Sequence, residues 1–66
     1  MNKYDFAMLL LETDSDTLVE MYEYLYDTPV IDMSCYEIRD EILSDFDNDM
    51  YSDKIYTFVE GYQYYE

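Results

Sequence analysis

Seventeen carboxylates stand against three basic side chains in 66 residues, and their spacing is the feature that could do chemistry. Glu20, Glu23 and Asp27 recur at intervals of three and four, and so do Glu37, Asp40, Glu41 and Asp45. On a helix, residues three and four apart have Cβ atoms ~5–6 Å apart and share one face. Acids in such rows could meet a row of Lys and Arg side chains on a partner. The net charge of −14 corresponds to ~24 Å of duplex DNA, at one charge per ~1.7 Å of axis. A solvated surface that only confers solubility is the ordinary reading of acidic residues. Here like-charge pairs at i, i+4 weaken each helix by ~0.2–0.5 kcal/mol apiece. Lys3, Arg39 and Lys54 cannot relieve that repulsion. A small domain that accepts such a cost is expected to use the charge.

Tyrosine is the second feature, with ten copies. Tyr22, Tyr36 and Tyr62 are expected in or beside the core. Tyr24, Tyr26, Tyr51, Tyr56, Tyr64 and Tyr65 exceed what a core of this size can hold. Exposed tyrosine offers contact area at low entropy cost, and its ring accepts Arg by cation–π contact. Tyr24 and Tyr26, beside the first acidic row, are therefore expected to pack on Arg stems of a partner.

Other chemistries find less support. Paired carboxylates can act as acid and base, but no pair stands out and the chain has no His. No catalytic residue is assigned, and an enzyme is not expected. Asp45, Asp47, Asp49 and Asp53 occupy acidic positions of a calcium-binding loop, yet Met50 stands where Gly makes the turn and Tyr56 where a bidentate Glu belongs. A capped connection between helices is the preferred reading of that stretch. No metal and no cofactor is assigned, and an Asp-rich cation-binding module is kept as the third reading. Cys35 is alone, forms no internal disulfide and reads as a small core residue.

These side chains must be positioned by a chain with one Gly and one Pro. Half the residues are apolar, which separates this acidic chain from disordered ones. Segment one, Lys3 to Leu11 with Asn2 as cap, places Phe6, Leu9 and Leu10 on one helical face, widened by Met8 and Leu11. Segment two, Asp16 to Tyr26 with Asp14 or Ser15 as cap, carries Leu18, Met21, Tyr22 and Leu25 at i, i+3, i+4, i+7. Pro29 bars its continuation, and Val30 and Ile31 anchor the crossing. Ser34 and Glu37 match a capping box opening a third helix to about Phe46, with Cys35, Ile38, Ile42 and Phe46 inward. The fourth, Asp53 to Tyr65 behind Ser52 or Asp49, places Ile55, Phe58, Val59 and Tyr62 on one face. The expectation is a single acidic all-α domain over residues 1–66, of three or four short helices. The alternative is α+β, with a Tyr-rich strand at Tyr22–Tyr26 or a hairpin in Ile55–Tyr65.

Size, charge and usage exclude further classes. Three basic residues cannot build a nucleic-acid-binding patch, so no direct nucleic-acid contact is expected. No stretch approaches the ~20 apolar residues of a membrane span, and no signal peptide is visible, so cytoplasm is the default. In size, in its 17:3 ratio of acids to bases and in tyrosine content, the whole chain resembles the small acidic inhibitors of phages and mobile elements. That group comprises DNA mimics, anti-restriction proteins and anti-CRISPR proteins. No motif is shared, so no residue role is carried over. The resemblance implies a partner that is a basic nucleic-acid-binding protein, such as a nuclease, whose groove is occupied in competition with DNA or RNA. The partner-binding residues would be Glu20, Glu23, Tyr24, Tyr26, Asp27, Glu37, Asp40, Glu41 and Asp45. The rival function is a regulator of antitoxin or anti-sigma type, docking through apolar and Tyr surface. A homodimer is an open alternative, since short chains gain core by pairing.

Overall fold

The computed structural model describes residues 2–63, with side-chain surroundings through residue 61. Four helices account for about three quarters of it: α1 Lys3–Glu12, α2 Ser15–Tyr26, α3 Cys35–Asp47 and α4 Ser52–Gln63. No strand occurs among the described residues, so the α+β alternative is overturned there. The alternating Tyr22, Tyr24 and Tyr26 lie on a helix because Leu18, Met21, Tyr22 and Leu25 form a buried stripe that strand geometry would split. Helix α4 runs through Glu60 and Gly61, where a hairpin would turn. Tyr64 and Tyr65 lie outside the described residues.

Local signals open the helices. Asn2 accepts from the Asp5 amide at 2.8 Å, and Asp14 from the Thr17 amide at 3.2 Å. Ser34 accepts from the Glu37 amide at 3.2 Å and its hydroxyl reaches the Glu37 carboxylate at 3.4 Å. Each of the three amide bonds satisfies a donor that a helix N-terminus leaves unpaired. Ser52 is the first residue of α4 and not its cap; its hydroxyl donates to Asp49 at 2.7 Å.

Helix ends are less orthodox. Asp27, Asp32, Asp49 and Tyr51 all have φ between 53° and 60°. Such left-handed positions favour Gly, with Asp the usual tolerated substitute, and the chain's one Gly lies elsewhere. Asp49 takes the glycine place of a Schellman motif: its amide bonds the Phe46 carbonyl, and the Met50 amide bonds the Asp45 carbonyl. The end of α1 is closed partly from another helix. The Thr13 hydroxyl donates to the Leu9 carbonyl at 2.6 Å, and Arg39 Nε on α3 donates to the Leu10 carbonyl at 3.2 Å.

In space the order is α1, α3, α2, α4, because α3 packs on both α1 and α2, and α4 packs on α2. Helices α1 and α3 are antiparallel: Lys3 meets Asp47, Phe6 stacks on Phe46 with centroids 4.4 Å apart, and Leu10 meets Arg39. Helices α2 and α3 run in the same sense, with Tyr22 beside Glu41 and Tyr26 bonded to Asp45. Phe6, Leu10, Leu18, Leu25, Ile38, Ile42 and Ile55 are fully buried where the four helices meet. Leu9, Cys35, Phe46 and Phe58 pack against them half-buried.

Four expectations are corrected. Met8, Leu11 and Tyr36 are exposed and take no part in the core. Ile31 is exposed as well, so Val30 and Met33 anchor the crossing. Among the described residues, no helix is long and apolar enough to cross a membrane.

Candidate partner-binding site

Helix α2 separates its side chains cleanly. Thr17, Leu18, Met21, Tyr22 and Leu25 are buried. Asp16, Glu20, Glu23 and Asp27 are all exposed. At 3.6 residues per turn these four acids fall within one narrow stripe opposite the core. Tyr24 flanks the stripe on the α4 side, with its ring 5.8 Å from Phe58 and Lys54 Nζ 5.8 Å from its centroid.

Helix α3 fans its acids across its outer surface. Glu37, Glu41 and Asp45, at i, i+4 and i+8, run along the side that meets α2. Asp40 and Asp47, at i and i+7, lie on the other flank, toward α1. Tyr26, Glu41 and Asp45 are thus drawn together at the α2–α3 seam. Glu20, Glu23 and Asp27 stand outward on the neighbouring helix, and Asp40 faces away from them.

The seam is held by tyrosine. Tyr26 is half-buried, its hydroxyl donates to Asp45, and its ring lies 4.5 Å from Tyr22 and 5.1 Å, edge-on, from Tyr51. Burial and then the Asp45 carboxylate hold the Tyr26 hydroxyl well above the usual tyrosine pKa. Burial and then the nearby Glu41 push Tyr22 up as well. Tyr26 and Asp45 therefore already serve each other inside the fold, whereas Glu20, Glu23, Asp27, Glu37, Asp40 and Glu41 stay exposed.

The cations do not neutralise these rows. Among the described residues the one ion pair joins Lys3 to Asp47 at 3.4 Å, both side chains about half exposed. Arg39 closes α1, with its guanidinium 5.8 Å from the Tyr36 ring. Lys54 lies over Tyr24. Every helix also lacks a basic residue in its last turn, although a cation there would complement the helix dipole. The Asp14 carboxyl is held below its ordinary pKa by its bonds to Thr17.

The sequence reading missed a second surface. Helix α1 is apolar on two sides. Phe6 and Leu10 face the core, while Tyr4 (80% exposed), Met8 (58%) and Leu11 (63%) stand outward with Ala7. Tyr4, Ala7, Met8 and Leu11 follow i, i+3, i+4, i+7, so the signal was present but read as a widened core face. Between α1 and α3 lies an open groove of about 250 Å³, with Ala7 and Leu10 as floor and Leu11, Tyr36 and Leu43 among its walls.

No group of three or more His, Cys, Asp or Glu side chains is gathered for a metal ion among the described residues. In the calcium-like stretch, Asp45 bonds Tyr26 and Asp47 pairs with Lys3, which turns them in different directions. Comparison with protein families, with curated proteins and with solved structures finds no match to the chain.

Proposed function

We propose that this protein is an inhibitor that occupies the basic nucleic-acid-binding groove of a DNA- or RNA-processing protein and competes with nucleic acid there, in the manner of DNA mimics of the anti-restriction or anti-CRISPR type. The observation that carries the reading is the exposed, unneutralised row on α2 together with Glu37 and Glu41 on α3. The molecule's longest extent is 29 Å, and its charge matches ~24 Å of duplex. Acids on the exposed faces would take the place of phosphates, and Tyr24 would lie along an Arg stem.

A pull-down from the native host, read by mass spectrometry, identifies the target. Association rates are then measured for Glu20→Gln/Glu23→Gln/Asp27→Asn and for Glu37→Gln/Glu41→Gln at two ionic strengths. Steered association slows when such charges are removed, more than dissociation speeds up. Affinity should also fall as salt rises, though less steeply than for DNA, because a folded protein condenses fewer counterions than a duplex. An unchanged rate at both ionic strengths returns the acids to a solubility role.

The exposed strip of Tyr4, Met8, Leu11 and Tyr36 supports a second reading: a regulator of antitoxin or anti-sigma type that docks by apolar contact. Its complex would survive high salt, since apolar burial is not screened.

A further inference from the structure

We infer that the groove between α1 and α3 binds an amphipathic, cationic helix of a partner protein, laid along it with its apolar face down and Lys or Arg side chains along both edges. This inference gives the second reading its surface and its partner's chemistry, and it rests on that reading.

The argument begins with area. A tyrosine side chain has ~150–250 Å² to bury, and Tyr4 and Tyr36 are each 80% exposed. The two present roughly 240–400 Å² at opposite ends of the groove, and with the exposed Leu11 between them the surface falls in the range of ~300–600 Å² for the largest apolar patch on a typical monomer, a size often functional. Leu11 and Leu43 line the groove between them, and Met8 widens the apolar surface on the outer side of α1. Tyr4 stands at the end where Lys3 meets Asp47, and Tyr36 at the end where Arg39 meets Leu10.

Shape selects the form of the occupant. Two antiparallel helices with a small residue, Ala7, on the floor leave an open trough between them. Helix α1 is ten residues long, or ~15 Å at ~1.5 Å per residue, which suits about three turns of a helix with anchors at i, i+3 or i+4, and i+7.

Charge selects its chemistry. Asp5 and Glu12, seven apart, share the outer edge of α1, and Asp40 and Asp47, seven apart, share the outer edge of α3. Because the helices are antiparallel, these four acids mark the corners of the apolar strip. Asp47 is paired with Lys3. Asp5, Glu12 and Asp40 have no ion pair among the described residues and are exposed. Arg39 in the wall is the opposing charge, and it is already engaged by the Leu10 carbonyl and the Tyr36 ring. An apolar strip between acidic corners is complementary to an apolar helical face bordered by bases. A second copy of this chain fits poorly, because it brings a further −14 and a two-fold pairing sets acidic corners against acidic corners.

The test uses two synthetic Leu/Lys peptides of identical composition, each about 14 residues long, near the length at which an isolated helix becomes marginally stable. One has Leu at helical spacing and the other is scrambled. Binding is measured at about 0.5 M salt, where charges separated by more than a few ångströms are screened. The amphipathic peptide should bind about tenfold more tightly than the scrambled one, with amide shifts centred on Ala7, Leu11 and Leu43. The preference should vanish in Met8→Gln/Leu11→Gln, whose exposed side chains leave the core intact by circular dichroism. In Glu12→Gln/Asp40→Asn the preference should persist, while low-salt affinity for both peptides falls. Equal binding of the two peptides overturns the inference, as does a preference that Met8→Gln/Leu11→Gln retains. A concentration-dependent dimer abolished by Met8→Gln/Leu11→Gln would assign the strip to a second copy and overturn it too. The second reading fails separately, if the native complex dissolves in high salt.

Discussion

Helices α1 and α2 are consecutive and of similar length, ten and twelve residues, yet their outer faces are of opposite kinds. On α2, apolar residues face the core and acids face solvent. On α1, apolar residues face both ways. A helix apolar on two faces in a small domain either has both enclosed or keeps one for a partner, and α1 has only α3 packed closely along it. The contrast teaches that helical periodicity counts faces, whereas the number of neighbours decides how many of those faces are covered.

Breaking the inner face of α1 should have the largest effect. Phe6 is fully buried and stacked on Phe46, so Phe6→Ala should cost about 3–5 kcal/mol. That is most of the stability available to so small a domain, and urea unfolding would show its transition lost or displaced to low denaturant. A mild effect would mean that α1 is held mainly by its ends.

The α2–α3 seam comes next. Tyr26→Phe removes the donor to Asp45 and should cost about 1.5 kcal/mol, the lower range for a hydrogen bond to a charged group. The same hydroxyl sets an alkaline limit. Tyr22 and Tyr26 keep their protons more firmly when folded than when unfolded, so above about pH 10, where free tyrosine ionises, the folded chain binds more protons than the unfolded one. Stability is therefore full below that pH and declines as pH rises beyond it. Thermal melts across that range should show a shallower decline in Tyr26→Phe than in the parent.

Neutralising the outer face of α2 should have the opposite sign and a smaller size. Asp16→Asn/Glu20→Gln/Glu23→Gln/Asp27→Asn removes like charges at i, i+3 and i+4 and should stabilise by roughly 0.5–1 kcal/mol in all. Added salt should raise the melting temperature of the parent more than that of the variant. A destabilised variant would show that the stripe has cation partners in solution.

The smallest effect belongs to the outer face of α1. Leu11→Ala should stay within about 0.5 kcal/mol of the parent, as for a surface site. A cost near that of Phe6→Ala would make the strip structural and remove the contrast with α2.

The helices were legible because their signals are local. Asn2, Asp14 and Ser34 each cap the helix they precede, and Leu18, Met21, Tyr22 and Leu25 define a face without reference to other elements. Turns were less legible, because the usual glycine signal is missing: Asp27, Asp32, Asp49 and Tyr51 adopt left-handed backbone where no Gly announces it. The acidic rows of α2 and α3 were visible as spacing. Their arrangement was not, since whether Asp40 and Asp45 share a surface depends on which helix packs against which side of α3. Tyr36, read as a core residue, lies outside the core because the helix it borders, α1, meets α3 through Arg39, Leu43 and Phe46 instead.

The sequence by itself determined four helix-forming stretches, most of their inward residues and an excess of carboxylates that three bases cannot balance. These follow from 3.6-residue periodicity, side-chain capping and charge count, all properties of residues near one another in the chain. Tertiary structure decided the spatial order α1, α3, α2, α4, the antiparallel and parallel pairings, and hence which apolar face of α1 is left open. It also joined Tyr26 to Asp45 across 19 positions and Arg39 to Leu10 across 29. Those outcomes depend on how four faces of different width share one core, a condition that applies to the whole set and is written in no single segment.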